Sequence, residues 1–225
     1  MSALSNVITR GDGTVSPCVG FVPNSNPEGS LSHEGVSVRY AQEPTKKWYV
    51  LRATYGRAEQ AYRYIVGDEK STDAYMAMHY VRKKGSKKRV REPLLQGLVF
   101  VYCTEDDARA YVKDTPAICF VRFYYNRTVT YADGTNPPLE VDYNAMMNFI
   151  RVTSIDDDNI MRLDEEFIKY ESNDLVEVID GKFQGVKGRV ARAAGQQRVI
   201  VELEGVALVA TAYIPTAFLR RLSQA

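Results

Sequence analysis

The chain has 225 residues, which is enough for one large domain or two small ones. Hydrophobic residues make up 45% and charged residues 25%, an ordinary composition for a soluble globular protein. No run of roughly 18 apolar residues predicts a membrane span, and the N-terminus lacks the basic-then-apolar order of a signal peptide. Three cysteines without CxxC spacing indicate a reducing compartment. We therefore expect a cytoplasmic protein that does not associate with membranes.

The net charge of +1 conceals three blocks of opposite sign. Residues 46–153 carry 18 Lys/Arg against 12 Asp/Glu, residues 154–180 carry 2 against 10, and residues 181–225 carry 7 against 2. Two basic blocks around an acidic stretch are typical of a two-domain protein that works near nucleic acid. Each block taken alone is equally well explained as an ordinary solvated surface.

Residues 1–45 are rich in Ser, Gly, Asn and Pro, which predicts a flexible N-terminal extension. An apolar, β-rich run follows at 46–53, and residues 57–69 have the apolar spacing of an amphipathic helix. Thr104 is a suitable N-cap for a second helix that ends near Asp114. The other predicted elements are strands at 73–82, 94–102 and 118–125, a turn at Gly85-Ser86 and a helix at 140–152. This order predicts an α+β fold class, with an α/β sandwich whose helices flank a mostly antiparallel sheet.

Residues 154–173 are acidic and have no sustained apolar period, which predicts a linker. Within it, Asn159 to Tyr170 is a candidate short helix. Five short strands are predicted after it, at 175–180, 186–193, 198–204, 206–214 and 218–222. Five strands in roughly fifty residues predict a small SH3-like β-barrel.

The segment Asp174–Val190, DLVEVIDGKFQGVKGRV, has the most specific pattern in the chain. Apolar residues first alternate with polar ones, as in a half-buried strand, and glycines then supply the positive φ angles of a tight turn. The residues expected to build this structure are Gly181, Phe183, Gly185 and Gly188. The pattern resembles the KOW motif of transcription elongation and ribosomal proteins.

Three stretches nearer the N-terminus carry a second resemblance: KKWYVLRATYGRAEQAYRYI, LLQGLVFVY and TPAICFVRF. In that order they are similar to the opening strand and helix, the central strand and the following segment of the NusG N-terminal (NGN) domain. An NGN domain, a linker and a KOW barrel form the NusG/RfaH architecture. The resemblance implies an NGN-type domain at 46–153, an acidic linker at 154–173 and a KOW barrel at 174–225.

In this family the NGN domain docks on the clamp coiled coil of the large RNA polymerase subunit and suppresses pausing or termination. Docking of a partner helix requires an apolar groove with aromatic or large aliphatic hot spots. The resemblance places these at Tyr49, Tyr55, Leu95, Leu98, Phe100 and Phe123. The alternative is that about half of the six are plain core, because alternate residues of a strand face inward.

The stretch VRKKGSKKRVRE, residues 81–92, predicts a basic hairpin. Its expected nucleic-acid contacts, together with one at the first helix, are Arg57, Arg82, Lys83, Lys84, Lys87, Lys88, Arg89 and Arg91. Without interleaved aromatic residues, such a patch would bind backbone phosphates rather than read bases. The resemblance implies contact with non-template or upstream DNA. The alternative is a solvated loop that keeps the protein soluble.

The KOW barrel of the family recruits a further partner, such as Rho or a small-subunit ribosomal protein. Housekeeping members carry an apolar–aromatic pair before the glycine aligned with Gly205, where this chain has Leu203-Glu204. A charge in place of an aromatic anchor disfavours Rho and favours a specialised paralogue that antagonises termination. We expect a monomer.

The sequence gives little support for an enzyme. His33 and His79 lie far apart without other metal ligands at suitable spacing, and consecutive acids at Asp156–Asp158 lack the spacing of a calcium loop. We therefore expect no catalytic residues, no metal and no cofactor. The competing hypothesis is a KOW-type RNA-binding or ribosome-associated translation protein, which would bind RNA through Lys182, Lys187, Arg189 and Arg192.

Overall fold

The computed structural model describes residues 40–68, 72–83, 85, 88–164, 169–193 and 195–222, without the side chains of 169–173. In chain order the elements are β1 (Lys47–Ala53), α1 (Ala58–Val66), β2 (Asp73–Tyr75), β3 (Met78–Arg82), β4 (Arg89–Pro93), β5 (Leu98–Cys103), α2 (Glu105–Lys113), β6 (Val121–Phe123), β7 (Glu140–Val141), α3 (Tyr143–Thr153), β8 (Met161–Leu163), β9 (Lys169–Val178), β10 (Lys187–Ala193), β11 (Gln196–Leu203), β12 (Ala207–Ala210) and β13 (Leu219–Arg221). Two sheets and a separate hairpin, β3–β4, result.

The first sheet has the order β2-β5-β1-β6, with β7 also paired to β1, and every pairing is antiparallel. The central strand β1 pairs Val50 with Phe100 and Leu51 with Phe123. Local signals placed its helices correctly, since the Thr104 hydroxyl caps α2 by accepting from the Asp107 backbone N–H at 3.3 Å. The predicted α+β sandwich is confirmed for this part of the chain.

The two faces of the first sheet are covered by different helices, because side chains alternate along each strand. On one face, Tyr49 and Phe123 pack in a core with α1 and α2. On the other face, Trp48 and Phe100 belong to a core that includes α3. Phe100 lies 5.4 Å from Phe149 of α3, measured between ring centroids.

Helix α3 is buried on nearly all sides. It begins after Asp142, whose carboxylate accepts from the Ala145 backbone N–H at 2.9 Å. Its inward residues are Met146, Met147, Phe149, Ile150, Arg151, Val152 and Thr153. One continuous apolar cluster joins the first sheet, α3 and the second sheet. A helix that is apolar on most of its surface requires cover on more than one side, and the two sheets provide it.

The second sheet has the order β13-β9-β10-β11-β12-β8. Its strands match the five predicted ones, but in the described residues β13 and β8 are open edges, so a closed SH3-like barrel is not confirmed. The sixth strand, β8, comes from the predicted linker and pairs with β12. The short helix predicted from Asn159 is therefore wrong at Met161–Leu163, where long-range pairing determines the conformation instead.

The chain packs onto the first sheet earlier than predicted. Residues 1–39 of the predicted extension lie outside the described residues. Tyr40 is only 2% exposed and packs edge-on against Trp48, with ring centroids 5.3 Å apart. The Glu43 backbone N–H donates to the Tyr102 hydroxyl at 2.7 Å. Residues 40–45, predicted as part of the extension, therefore include residues that pack on the first sheet.

Gly188 allows β10 and β11 to approach closely, and we predict that Gly188→Ala destabilises the fold. A Cβ atom at this position would lie 2.3 Å from the Ile200 carbonyl oxygen and 2.7 Å from Val199 Cγ1. Because the backbone of β10 or β11 must shift to make room for the Cβ atom, we expect the free energy of unfolding, measured with urea, to fall by about 2 kcal/mol or more.

Gly134→Ala is the comparison variant. Its Cβ would enter open space at φ +80°, so only conformational strain of about 1 kcal/mol is expected. Equal or smaller destabilisation by Gly188→Ala would contradict the close approach of the two strands.

Candidate nucleic-acid and protein interface

The basic hairpin exists as predicted. Strands β3 and β4 pair in antiparallel register from Met78 with Pro93 to Arg82 with Arg89. Gly85 has φ +84°, as a tight turn requires, while Lys84, Ser86 and Lys87 lie outside the described residues. Arg82, Lys83 and Lys88 are exposed beside the turn. Lys83 Nζ lies 3.3 Å from Glu92 Oε1. The hairpin therefore gathers several cations at one projecting end.

Arg89 is held by the acidic turn, residues Asp156–Asp158, which follows α3. Its Nη2 atom lies 2.6 Å from Asp156 Oδ1 and 2.5 Å from Asp158 Oδ1. Its guanidinium carbon stands 4.4 Å from the centroid of the Tyr80 ring. The hydrogen bond to Asp156 and the two carboxylate charges raise the pKa of Arg89 above its ordinary value. One guanidinium thus binds two carboxylate oxygens at the turn end of the hairpin, where Arg89 pairs with Arg82.

Asp157, between these two aspartates, points the other way. Its side chain is only 6% exposed and forms an ion pair with Lys182 of the glycine-rich turn. The Asn159 backbone N–H donates to the same carboxylate at 2.8 Å. Burial acts to raise the pKa of Asp157, but the hydrogen bonds from Lys182 and Asn159 outweigh it and hold the pKa below its ordinary value. The acidic turn therefore contacts both the hairpin and the second sheet.

Two further predicted nucleic-acid contacts have partly buried positions. The guanidinium of Arg57 stacks 3.7 Å above the Phe120 ring centroid and 5.5 Å from that of Tyr55. Arg91 is half-buried, and burial lowers the pKa of its guanidinium. Neither residue presents its whole charge to solvent, unlike the cations at the end of the hairpin.

The six residues predicted for the polymerase groove do not form one surface in this structure. Tyr49 and Phe123 are buried under α1 and α2, whereas Leu95 and Phe100 are buried in the core around α3. Leu98 is half-buried, and Tyr55 is 89% exposed at φ +57°. A polymerase contact by the buried four remains a prediction.

Two exposed arginines beside the predicted groove residue Leu98 were not predicted from the sequence. On the α3 face, beyond the end of that helix, β1 places Arg52 directly opposite Leu98 of β5 and directly opposite Arg122 of β6. Arg52 and Arg122 are exposed. Like charges in a cross-strand pair are destabilising, so the pair of Arg52 and Arg122 does not stabilise the fold. The only signal in the sequence was an arginine within an otherwise apolar strand.

The predicted KOW residues build a tight turn. Gly181 and Gly185 both have φ +81°, and Phe183 between them is 3% exposed. The Arg151 guanidinium of α3 donates to the Gly185 carbonyl at 2.6 Å. The turn is therefore packed against α3, and its glycines have a structural role here.

A comparison with protein-family models finds a match over the first part of the chain. Residues 46–131 match the family model NusG, described as transcription termination factor nusG. This match contains the first sheet except β7, both flanking helices and the basic hairpin. It covers well under half of the chain, and no curated protein matches.

Among solved structures, the chain is similar to one described as the crystal structure of the MjSpt4:Spt5 complex, conformation B. The identity is 16%, the match covers 79% of this chain and 97% of that chain, and the TM-score is 0.25. A TM-score this low supports no further conclusion.

The described residues contain no group of three or more His, Cys, Asp or Glu side chains arranged to hold a metal ion. In the same part of the chain, no helix has the length and apolar character needed to cross a membrane. His79 is half-buried on β3, where burial lowers its pKa and Glu92 opposes the effect.

We predict that Asp157 makes stability depend on acid pH. Its folded pKa lies below the ordinary value of 3.8, so the carboxylate stabilises the fold above that value. The contribution is lost as pH falls through the lower folded pKa. Asp157→Asn should therefore reduce the Tm at pH 7 and flatten its decline between about pH 5 and about pH 3.

Asp114→Asn is the control, because Asp114 is exposed at the end of α2. If both variants have the same profile as the natural sequence, the ion pair with Lys182 does not stabilise the fold.

Proposed function

We propose that the protein is a non-enzymatic transcription elongation or antitermination factor that docks on the clamp of the large RNA polymerase subunit. The observation that carries this proposal is the match of residues 46–131 to the NusG family model. The same residues form an antiparallel sheet with two helices on one face and a projecting basic hairpin.

The row formed by the exposed Arg52 and Arg122 and the half-buried Leu98 is the best-supported docking surface on the first sheet. Leu98 offers apolar area between strands. In the described residues neither arginine beside it forms an ion pair, and Arg122 Nη1 donates to the carbonyls of Cys119 and Val121. The mutual repulsion of the two arginines would be relieved by carboxylates on a partner. A partner helix with acidic side chains around an apolar residue fits this row. The exposed Tyr55 supplies an aromatic group that such a helix could contact.

The hairpin supports a second contact, with non-template or upstream DNA. Several cations project from one turn, and binding to backbone phosphates needs no precise base contact. The DNA contact would position the protein on the transcription complex while the sheet binds polymerase.

The second sheet fits a KOW module with a separate partner, Rho or a ribosomal protein. Leu203 is 1% exposed, so it is core, and Glu204 is exposed at the following turn. A charged turn without an exposed aromatic anchor favours a specialised paralogue over a Rho-binding factor.

Reversal of the two row charges should abolish polymerase docking. We expect Arg52→Glu with Arg122→Glu to weaken binding of the full chain to RNA polymerase at least tenfold, because attraction to carboxylates becomes repulsion. The measurement is biolayer interferometry with immobilised polymerase, with Tm as a check on folding.

The matched control is Arg109→Glu with Lys113→Glu, two exposed residues of α2 on the opposite face of the sheet. Equal weakening in both double variants would show a nonspecific charge effect. No binding by the natural sequence would refute the proposed function.

Removal of the hairpin charges should weaken DNA binding and leave polymerase docking intact. Replacement of Lys83, Lys84, Lys87 and Lys88 by Ala removes the cations that would neutralise up to four phosphates. The slope of log K against log salt should therefore become shallower by about 0.9 for each phosphate that is no longer neutralised. Fluorescence anisotropy with duplex DNA measures the slope, and an unchanged slope would identify the hairpin as a solvated loop.

A further inference from the structure

The acidic turn shows where an anion binds on the hairpin. Asp156 and Asp158 place two oxygens within 2.6 Å of one nitrogen of Arg89, and the guanidinium is stacked on Tyr80. The non-bridging oxygens of a phosphate diester can accept charge-assisted hydrogen bonds from the same guanidinium. Arg89 is thus already ordered for binding an anion, and the turn supplies that anion in the free protein.

The ion pairs of Arg89 with Asp156 and Asp158 can be replaced by an ion pair with another anion. The Arg89, Asp156 and Asp158 side chains are 35%, 39% and 46% exposed, so water and salt compete with their ion pairs. Exposed ion pairs contribute little to stability. Two carboxylates on one guanidinium also leave one negative charge in excess, which repels an approaching phosphate. The turn can therefore be displaced at small cost, but opposes nucleic acid until it is displaced.

The turn has an anchor that would survive displacement. Asp157 is nearly buried and remains bound to Lys182 and to the Asn159 backbone. Displacement of Asp156 and Asp158 from Arg89 therefore requires side-chain rotation and local movement, not release of the turn from the second sheet. The two aspartates therefore stay near the hairpin and continue to compete with phosphate for Arg89.

We propose that Arg89 is a phosphate-binding residue of the hairpin and that Asp156 and Asp158 occupy its site as an intramolecular phosphate mimic. The inference rests on the proposed nucleic-acid contact of the hairpin. Nucleic-acid backbone phosphate displaces the two carboxylates, and only then does Arg89 contribute to affinity. The acidic turn thereby limits nonspecific binding to nucleic acid.

A double-mutant cycle on the full chain tests this. The variants are Asp156→Asn with Asp158→Asn, Arg89→Ala, and all three changes together, titrated against a labelled duplex DNA across a salt series. We expect the double Asn variant to bind about three- to tenfold tighter, with a salt slope steeper by about one phosphate contact. Arg89→Ala should weaken binding less in the natural sequence, where it removes one charge but no phosphate contact, than in the Asn background, where it also removes the contact.

The matched control is Asp114→Asn with Glu204→Gln, which makes the same charge change at two exposed positions on other elements. Equal tightening by this control, or an equal effect of Arg89→Ala in both backgrounds, would overturn the inference while DNA binding itself stands. If neither the natural sequence nor the double Asn variant binds DNA at low salt, the proposed DNA contact fails, and the inference fails with it.

Discussion

The burial of α3 between two sheets is the constraint on which the rest of the structure depends. Its apolar residues face both sheets, so neither sheet can present that part of its surface to solvent. Phe149 contacts Phe100 of the first sheet, while Arg151 binds the carbonyl of Gly185 in the turn of the second. The helix therefore fixes both the position of the glycine-rich turn and the part of the first sheet that remains exposed.

The interaction surfaces follow from this arrangement. Because α3 covers Phe100 and leaves Leu98 at the edge of the core, the row that we propose for docking lies where the helix ends. The acidic turn begins immediately after the same helix, and this position brings Asp156 and Asp158 to the hairpin and Asp157 to Lys182. One buried helix thus places both the proposed docking row and the ion pairs of Arg89 with Asp156 and Asp158 at its C-terminal side.

Local signals in the sequence predicted much of the fold and little of the interface. The Thr104 cap, the turn at Gly85 and the glycines near Phe183 depend on neighbouring residues, and each is present. The split of Tyr49 and Phe100 between opposite faces depends on cross-strand register, which no local pattern encodes. Arg89 and Asp156 are separated by 67 residues, so their ion pair required the tertiary structure. The same holds for β8, where pairing with β12 overrides the helical tendency of the linker.

The most direct test of the central claim is a hydrogen–deuterium exchange map of the full chain with and without RNA polymerase. If the uncovered end of the first sheet is the docking surface, bound polymerase should slow exchange in peptides that contain Arg52, Leu98 and Arg122. Peptides from α2, on the opposite face, should be unchanged. Protection confined to the second sheet, or no protection at all, would contradict docking through the first sheet.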